Sequence, residues 1–166
     1  MKQTRLVLTG PIDRTFAEDV LHRIGEVPDD CEHLFITLQS PGGSVRIALA
    51  VADLLLSLPC RVTTFNPGRV DSAALLVFAA GAERLCTPDA GFLAHPITRD
   101  LSGVSTRAGL QAQIKGIEQD TRRVAEFLAR RTRPVSAAAW RRLMSRSVEI
   151  PAKHALRLGL VHGVVA

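Results

Sequence analysis

The sequence predicts a single α/β domain, and three observations lead to that prediction. The chain has 166 residues, a length that suits one compact domain. Hydrophobic residues make up 46% of it and charged residues 22%, a composition too apolar for a disordered chain. Short β-rich apolar runs alternate with segments of helical periodicity, and this alternation supplies the crossover helices that parallel strands need. We therefore expect one domain over residues 1–166.

Each element is predicted from its own pattern of apolar residues, with glycine and proline marking the turns between elements. The predicted strands cover residues 6–8, 34–38, 61–65, 84–87, 91–94 and 160–165. The predicted helices cover residues 16–24, 44–58, 73–82, 108–131, 137–144 and 152–158. The helix over 73–82 is almost wholly apolar and should be buried on every side. Residues 98–106 are polar and predict a loop or an exposed edge strand.

Composition argues against a membrane protein, a secreted protein and a metal centre. No run approaches the ~18 to 20 apolar residues that span a bilayer, and the N-terminus lacks the apolar core of a secretory signal. We therefore expect a cytoplasmic protein with no membrane partner. The cysteines Cys31, Cys60 and Cys86 are far apart in sequence, and no histidine has metal-ligand spacing, so we expect no metal and no cofactor.

The positive charge of the chain is concentrated in one segment. The formal net charge is +5, yet residues 99–146 alone carry a net charge of +7. A basic segment can indicate a nucleic-acid partner. This one holds a single Phe and a single Trp and no recognisable reading motif, so we interpret it as a solvated helix face or a subunit contact.

The first candidate site is the junction SPGGSV at positions 40–45, between a predicted strand and a predicted helix. Paired glycines let a ligand approach the main chain closely. At a helix N-terminus their N–H groups point outward, which favours an anion or a developing oxyanion. A tight turn with Ser44 as the helix cap explains the same residues equally well.

The second candidate site is the junction GRVDSAA at positions 68–74, where Ser72 opens the apolar helix. Ser72 is either an N-cap or a nucleophile, and a nucleophile needs a base within hydrogen-bond reach and backbone donors beside it. His95 ends the predicted strand over 91–94, so a parallel layout brings it to the same sheet edge as both junctions.

The combination of these motifs resembles the proteolytic subunit of the Clp protease. Ser72 stands 29 residues beyond Gly43 and opens a helix that ends in AAGA at 79–82. Leu-Cys-x-Pro follows at 85–88, Phe-Leu-Ala-His-Pro at 92–96 and Gly-Leu-Val at 159–161. The resemblance runs from residue 6 to residue 165. The glycine motif is shared across the wider crotonase-like fold, whereas its union with Ser72 and His95 is more specific.

The resemblance implies a crotonase-like spiral of ββα units and a serine peptidase. Ser72 would be the nucleophile and His95 the general base. The N–H groups of Gly43 and Ala73 would form the oxyanion hole. Extended peptide substrate would bind along residues 97–105, and the residues implied to contact it are Gly42, Ile97 and Thr98.

The resemblance also implies an assembly. A protruding handle over about 98–131 would mesh subunits of a homo-oligomeric ring, which in the family stacks into a double ring around the active sites. Such a chamber admits unfolded chains, normally delivered by an ATPase. This chain has no tyrosine, which weakens the inference of aromatic docking clefts for an ATPase partner.

Two departures from the family pattern bear on activity. Counting back from Gly159 without a gap places Leu143 where the family has the aspartate that orients the histidine, and no Asp or Glu occurs between Glu126 and Glu149. Asp71 stands beside the nucleophile, where its charge would oppose an oxyanion unless the side chain points away. The groups that could orient the histidine instead are Ser145, a backbone carbonyl, Glu149 and Asp100.

Three other functions follow from these observations. The missing carboxylate favours a catalytically inactive Clp-like subunit with a structural or regulatory role in a ring. The glycine motif is also compatible with a crotonase-type acyl-CoA enzyme, although that class lacks the serine–histidine pair and tends to have longer chains. A nucleic-acid role for the basic segment is the least favoured.

Overall fold

The computed structural model of the chain describes residues 2–103 and 106–165. The strands are β1 (Gln3–Thr9), β2 (His33–Gln39), β3 (Arg61–Asn66), β4 (Arg69–Asp71), β5 (Glu83–Cys86), β6 (Gly91–Ala94), β7 (Val148–Pro151) and β8 (Gly163–Val164). The helices are α1 (Arg14–Gly25), α2 (Val45–Ser57), α3 (Ala74–Ala79), α4 (Arg107–Arg131), α5 (Ala137–Ser145) and α6 (Ala152–Arg157).

The strands form two layers. The main sheet is parallel, in the order β1-β2-β3-β5-β8, and a second sheet has the order β4-β6-β7 with β7 antiparallel to β6. Isolated bridges between Ile12 and Gly43 and between Ser40 and Val70 extend the second layer toward the N-terminus. A main-sheet strand, a short second-layer segment and a helix therefore follow one another repeatedly, which confirms the expected spiral of ββα units.

The core lies between the main sheet and the helices, and the sequence pattern dictates which faces enter it. Along β2, Leu34, Ile36 and Leu38 are fully buried while their neighbours are not, because successive strand side chains point to opposite faces. All six residues of α3 are buried, as its uniformly apolar sequence predicts. This central helix is the element that begins just after Ser72, so the candidate nucleophile is attached to a helix that is buried along its whole length.

The handle is helix α4. Its 25 residues make it about 37 Å long, and its buried residues lie only between Val124 and Leu128. Toward its other end Leu110 and Ile114 are 42% and 57% exposed, so this half projects from the domain as expected. Within the described residues, no helix is both long and apolar enough to cross a membrane.

The structure differs from the predicted elements in the second layer and at the C-terminus. The sequence pattern does not predict strands β4 and β7, because each has at most four residues and carries charged side chains. The last strand is shorter than the predicted 160–165. Leu160 and Val161 instead donate their N–H groups to the Ala155 carbonyl, which closes α6 through Gly159 at a φ of 67°.

Candidate active site

Ser72 lies on a strained turn between β4 and α3. Its φ is +57°, a conformation that few non-glycine residues adopt and that concentrates at functional sites. Its N–H donates to the Leu93 carbonyl of β6 at 2.8 Å, which fixes the turn. The residue preceding α3 is Ala73, and no side chain caps this helix. The N-cap interpretation of Ser72 is therefore wrong, and its hydroxyl donates to no described residue.

Gly42 makes room for this turn. A Cβ at position 42 would lie 2.6 Å from the Ser72 Cβ and 2.7 Å from the Asp71 carbonyl oxygen. Gly42 is buried; its N–H donates to Ser40 Oγ at 3.1 Å and its carbonyl accepts from the Ile12 N–H at 2.8 Å. Both backbone groups of Gly42 are thus engaged within the chain, and Gly42 supports the serine turn from beneath; that it contacts substrate stays a prediction.

Two backbone donors flank the serine. The N–H groups of Gly43 and Ala73 have no acceptor among the described residues, and a Cβ on Gly42 would lie 3.1 Å from the Ala73 nitrogen. The two junctions predicted from the sequence are therefore in contact. The Ser44 hydroxyl caps α2 by accepting from the Ile47 N–H at 3.4 Å, so the capping role and free donors occur together at this junction.

His95 follows β6 and lines the same two cavities as Ser72. Its Nδ1 lies 2.7 Å from the Pro96 carbonyl oxygen. Since a carbonyl only accepts, this hydrogen bond assigns the ring proton to Nδ1 and leaves the Nε2 lone pair as a base. The imidazole is thus in the tautomer that general-base catalysis requires, although no Ser72–His95 hydrogen bond is formed within the described residues.

The other groups considered for orienting His95 are engaged elsewhere. Glu149 forms a two-pronged ion pair with Arg69 at 2.8 and 3.0 Å. Asp100 accepts from the Ser102 N–H at 2.8 Å, and the Ser145 hydroxyl donates to the Arg142 carbonyl at 3.0 Å. Among the alternatives from the sequence, the backbone carbonyl is the one that contacts the ring.

Leu143, the position that the ungapped count assigns to the orienting aspartate, lies on α5. Leu143 faces a different pocket, whereas its neighbour Met144, which is 4% exposed, lines the small cavity with Ser72 and His95. An apolar side chain from α5 therefore forms part of the wall of the cavity that His95 also lines. Sequence reasoning missed Met144, because an apolar residue on an amphipathic helix is ordinarily part of the core.

The Asp71 carboxylate turns toward Arg69, at 3.1 Å, and its side chain is 16% exposed. Burial raises the pKa of this carboxyl, and the adjacent Arg69 guanidinium opposes that rise. The same guanidinium bridges to Glu149, whose pKa it lowers by hydrogen bonding. The charge beside Ser72 is therefore partly offset by an arginine that Asp71 shares with Glu149.

A cleft of about 670 Å³ runs past Ser72 and His95. One wall comes from α2, another from residues 97–99 and a third from α4. Ile97 and Thr98 both line it, as expected, and within the described residues the backbone of 97–99 forms no backbone hydrogen bond. The charged cleft residues that sequence reasoning missed are Arg46, Asp53, Arg99, Asp120 and Arg123.

Thiols and possible metal ligands lie away from this cleft. Cys86 is buried, and Cys60 lies within hydrogen-bonding reach of Cys31 despite their separation in sequence. Burial, as the larger cause, and that contact together raise the pKa of the Cys60 thiol. Across the part of the chain that the structure describes, no group of three His, Cys, Asp or Glu residues is placed to hold a metal ion.

The two-layer spiral, with its glycine junction packed against a serine turn, defines a crotonase-like fold. The solved structure of a mutant of ClpP1 from Listeria monocytogenes superimposes with a TM-score of 0.86, at 19% identity, and covers 97% of this chain and 90% of that chain. At that identity the similarity supports the fold alone.

Sequence comparisons identify the family. A Clp protease family model matches residues 1–166. The ATP-dependent Clp protease proteolytic subunit 1 of Corynebacterium diphtheriae is 31% identical over 98% of this chain and 79% of its own. The corresponding subunit of Streptococcus mutans is 27% identical over 57% of this chain, and that match spans half of the streptococcal chain. The chain belongs to the Clp protease family.

Proposed function

We propose that the chain is a serine peptidase that cleaves unfolded or extended peptides. Ser72 acts as nucleophile, His95 as general base, and the N–H groups of Gly43 and Ala73 stabilise the oxyanion. The observation that carries this proposal is the strained Ser72 turn, which holds a free hydroxyl between two free backbone donors among the described residues. Strained turns and unpaired backbone donors cost free energy, and they are found mainly at sites where function requires them.

The chemistry follows from this geometry. The Ser72 Oγ proton passes to His95 Nε2 while the oxygen attacks the scissile carbonyl, and the resulting oxyanion is held by Gly43 and Ala73. The protonated imidazole then gives its proton to the leaving amine, and water hydrolyses the acyl-enzyme by the same route. The Pro96 carbonyl keeps the ring oriented throughout.

The absence of an orienting carboxylate among the described residues sets the expected rate. A neutral carbonyl preserves the tautomer of His95, yet it stabilises the imidazolium less than a carboxylate does. Replacing the aspartate of a serine-protease triad costs roughly ten-thousand-fold in turnover. Because the tautomer is preserved here, we expect a slow enzyme whose serine still reacts with activated inhibitors.

The backbone of residues 97–99 provides the peptide-binding surface in this proposal. Its N–H and C=O groups, which form no backbone hydrogen bond with the described residues, line the cleft beside His95. An extended peptide adds to such an edge as an extra strand, and main-chain hydrogen bonds hold it without selecting its sequence. This supports unfolded protein as the substrate, with Ile97 and Thr98 as contact residues.

A fluorophosphonate probe tests the nucleophile. We expect the wild-type protein to be labelled on one serine, and we expect Ser72→Ala to lose labelling completely. Ser44→Ala is the matched control, because Ser44 lines the same cleft but caps α2, and this variant should keep most of its labelling. Intact wild-type protein that takes no label at high probe concentration would exclude catalysis by Ser72.

A second candidate function is a catalytically inactive subunit of a Clp-like ring. It is favoured by one observation: among the described residues, the hydrogen-bond partner of the His95 ring is the Pro96 carbonyl and not a carboxylate. Both candidates place the chain in a cytoplasmic ring that can stack through the exposed half of α4; the enzyme forms this ring from its own copies. Native mass measurement combined with the fluorophosphonate probe distinguishes the two candidates. A labelled homo-oligomer supports the enzyme. An unlabelled protein that assembles only with an active paralogue supports the inactive subunit.

A further inference from the structure

Helix α4 has a glycine near its middle that its own stability does not explain. Glycine in a helix interior is unfavourable relative to alanine, and Gly116 lies well inside a helix of 25 residues. A special backbone angle is not the reason, since Gly116 has ordinary helical geometry. Instead, a neighbouring residue packs where a side chain at position 116 would lie.

That neighbour is the guanidinium of Arg99. A Cβ at position 116 would lie 2.5 Å from Arg99 Nη1, 2.8 Å from Cζ and 2.9 Å from Nη2. All three distances are shorter than van der Waals contact, so the guanidinium rests directly on the bare backbone of the helix. Any larger residue at position 116 would therefore displace the guanidinium from its present position.

Polar side chains on either side of Gly116 hold the Arg99 guanidinium in this position. Arg99 Nη2 donates to Asp120 Oδ2 at 2.5 Å, and Nη1 donates to Gln113 Oε1 at 3.2 Å. Positions 113, 116 and 120 lie on one face of the helix. The ion pair is partly buried, with side chains 34% and 22% exposed, so solvent screens it less than a surface pair.

The Arg99 contact lies next to the residues proposed to bind the peptide. Arg99 directly follows Ile97 and Thr98, and both Arg99 and Asp120 line the cleft themselves. Within the described residues, the backbone of 97–99 has no backbone hydrogen bond to fix its position. The side chain of Arg99 therefore supplies an anchor that the main chain lacks.

We propose that Arg99, seated on Gly116 between Gln113 and Asp120, is a positioning residue that fixes the edge formed by Ile97 and Thr98 for peptide binding. The proposal rests on the proposed peptidase function for its effect on substrate. Since the anchor acts on the edge and not on the reacting atoms, its loss raises KM and leaves the reactivity of Ser72 unchanged.

The main variant is Gly116→Ala, which fills the seat while favouring the helix. Asp120→Asn removes the charge that holds the guanidinium, and Lys115→Ala is the matched control on the exposed side of the same turn. Thermal melting checks folding, and we expect Gly116→Ala to melt no lower than the wild type.

Two readouts test the proposal on activity. With a fluorogenic peptide, we expect KM to rise at least threefold in Gly116→Ala and Asp120→Asn, while kcat and the rate of fluorophosphonate labelling stay within about twofold of the wild type. Unchanged KM in both variants overturns the proposal. A labelling rate that falls in parallel with peptide cleavage also overturns it, because that places the effect at the nucleophile.

A third readout does not depend on activity. Trypsin cleaves after Arg99 only when the guanidinium leaves its seat, so the fragment that begins at Asp100 should form at least three times faster in Gly116→Ala and Asp120→Asn than in the wild type and Lys115→Ala. Equal rates show that Arg99 is not anchored and overturn the proposal. If wild-type protein takes no fluorophosphonate label, the peptidase function fails while this experiment still decides whether the anchor exists.

Discussion

The left-handed turn of Ser72 depends on a second residue, Gly42, that is distant in sequence. The Gly42 backbone fills the space directly beneath the Ser72 Cβ, at a φ of 90° that glycine tolerates. A Cβ at position 42 would also lie 3.1 Å from the Ala73 nitrogen. The position of Ser72, the proposed nucleophile, therefore depends on the absence of a single methyl group in the other junction.

Replacing Gly42 with alanine tests this dependence. Gly42→Ala should lower the free energy of unfolding by about 2–4 kcal/mol, combining left-handed strain with a collision in a packed site. It should also slow fluorophosphonate labelling at least tenfold. Gly10→Ala is the matched control: Gly10 has a φ of 93°, but a Cβ there would meet nothing within 4 Å. Only the strain of about 1 kcal/mol then remains, and labelling is unchanged. Equal effects of the two variants contradict the role of Gly42.

At the scale of residues, the sequence predicts the groups proposed to carry out the reaction. It does not predict the group that orients His95. Ser72, His95 and Gly43 stand in recognisable motifs, and the structure brings them to one cleft. The hydrogen bond from His95 to the Pro96 carbonyl has no sequence signal, because every residue carries a carbonyl and only local backbone geometry decides which one is near. Met144 escapes sequence reasoning for the related reason that burial does not reveal what a side chain faces.

At the scale of elements, the corner between α4 and α5 fixes the wall of the small cavity beside His95. The indole N–H of Trp140 donates to Thr132 Oγ1 at 2.7 Å, and that hydroxyl donates to the Leu128 carbonyl at 2.6 Å. Trp140 and Thr132 are fully buried. This chain of two hydrogen bonds ties α5, which carries Met144, to the end of the handle helix.

Thr132→Val removes the hydroxyl while keeping the shape of the side chain. The indole N–H is then buried without a partner, and we expect a loss of about 1–3 kcal/mol in the free energy of unfolding. Urea unfolding followed by the fluorescence of Trp140, the single tryptophan, measures it. Thr9→Val, on an exposed position of β1, should change stability by less than about 0.5 kcal/mol. A Thr132→Val variant as stable as this control would show that the corner does not depend on the hydrogen bond.

Elements with a clear apolar pattern are predictable from the sequence, whereas strands β4 and β7 are not. The apolar stripe of α2 and the continuous apolar run of α3 each encode one burial pattern, so their bounds agree with the prediction within a few residues. Strands β4 and β7 are stabilised by pairing with β6 and by the ion pair between Arg69 and Glu149. Arg69 and Glu149 are 80 residues apart, and local periodicity does not predict contacts between residues so far apart in the sequence.

At the scale of the whole molecule, a buried arginine joins the C-terminal segment to the centre of the fold. Arg84 on β5 is 3% exposed, and its guanidinium donates to the carbonyls of Gly81, Arg131, Gly159 and Leu160 at 2.8 to 3.0 Å. Burial lowers its pKa to about 10, so the group stays charged at neutral pH. Carbonyl dipoles from three separate segments replace a carboxylate partner, and through them the base of the handle, the turn after α3 and the turn after α6 share one anchor.

Arg84→Lys tests whether this anchor stabilises the fold as a unit. Lysine keeps the charge but has one nitrogen, which cannot reach four carbonyls arranged around a planar fork. We expect the free energy of unfolding to fall by about 3 kcal/mol or more, since charge-assisted hydrogen bonds are lost and buried carbonyls are left unpaired. Arg61→Lys on the neighbouring strand β3 is the control, because Arg61 makes an exposed ion pair with Glu83 and should cost less than about 1 kcal/mol. If urea unfolding gave the same value for both variants, the four carbonyl contacts would contribute nothing beyond charge. The C-terminal segment would then be held by the pairing of β8 with β5 and by its buried residues Leu160 and Val161.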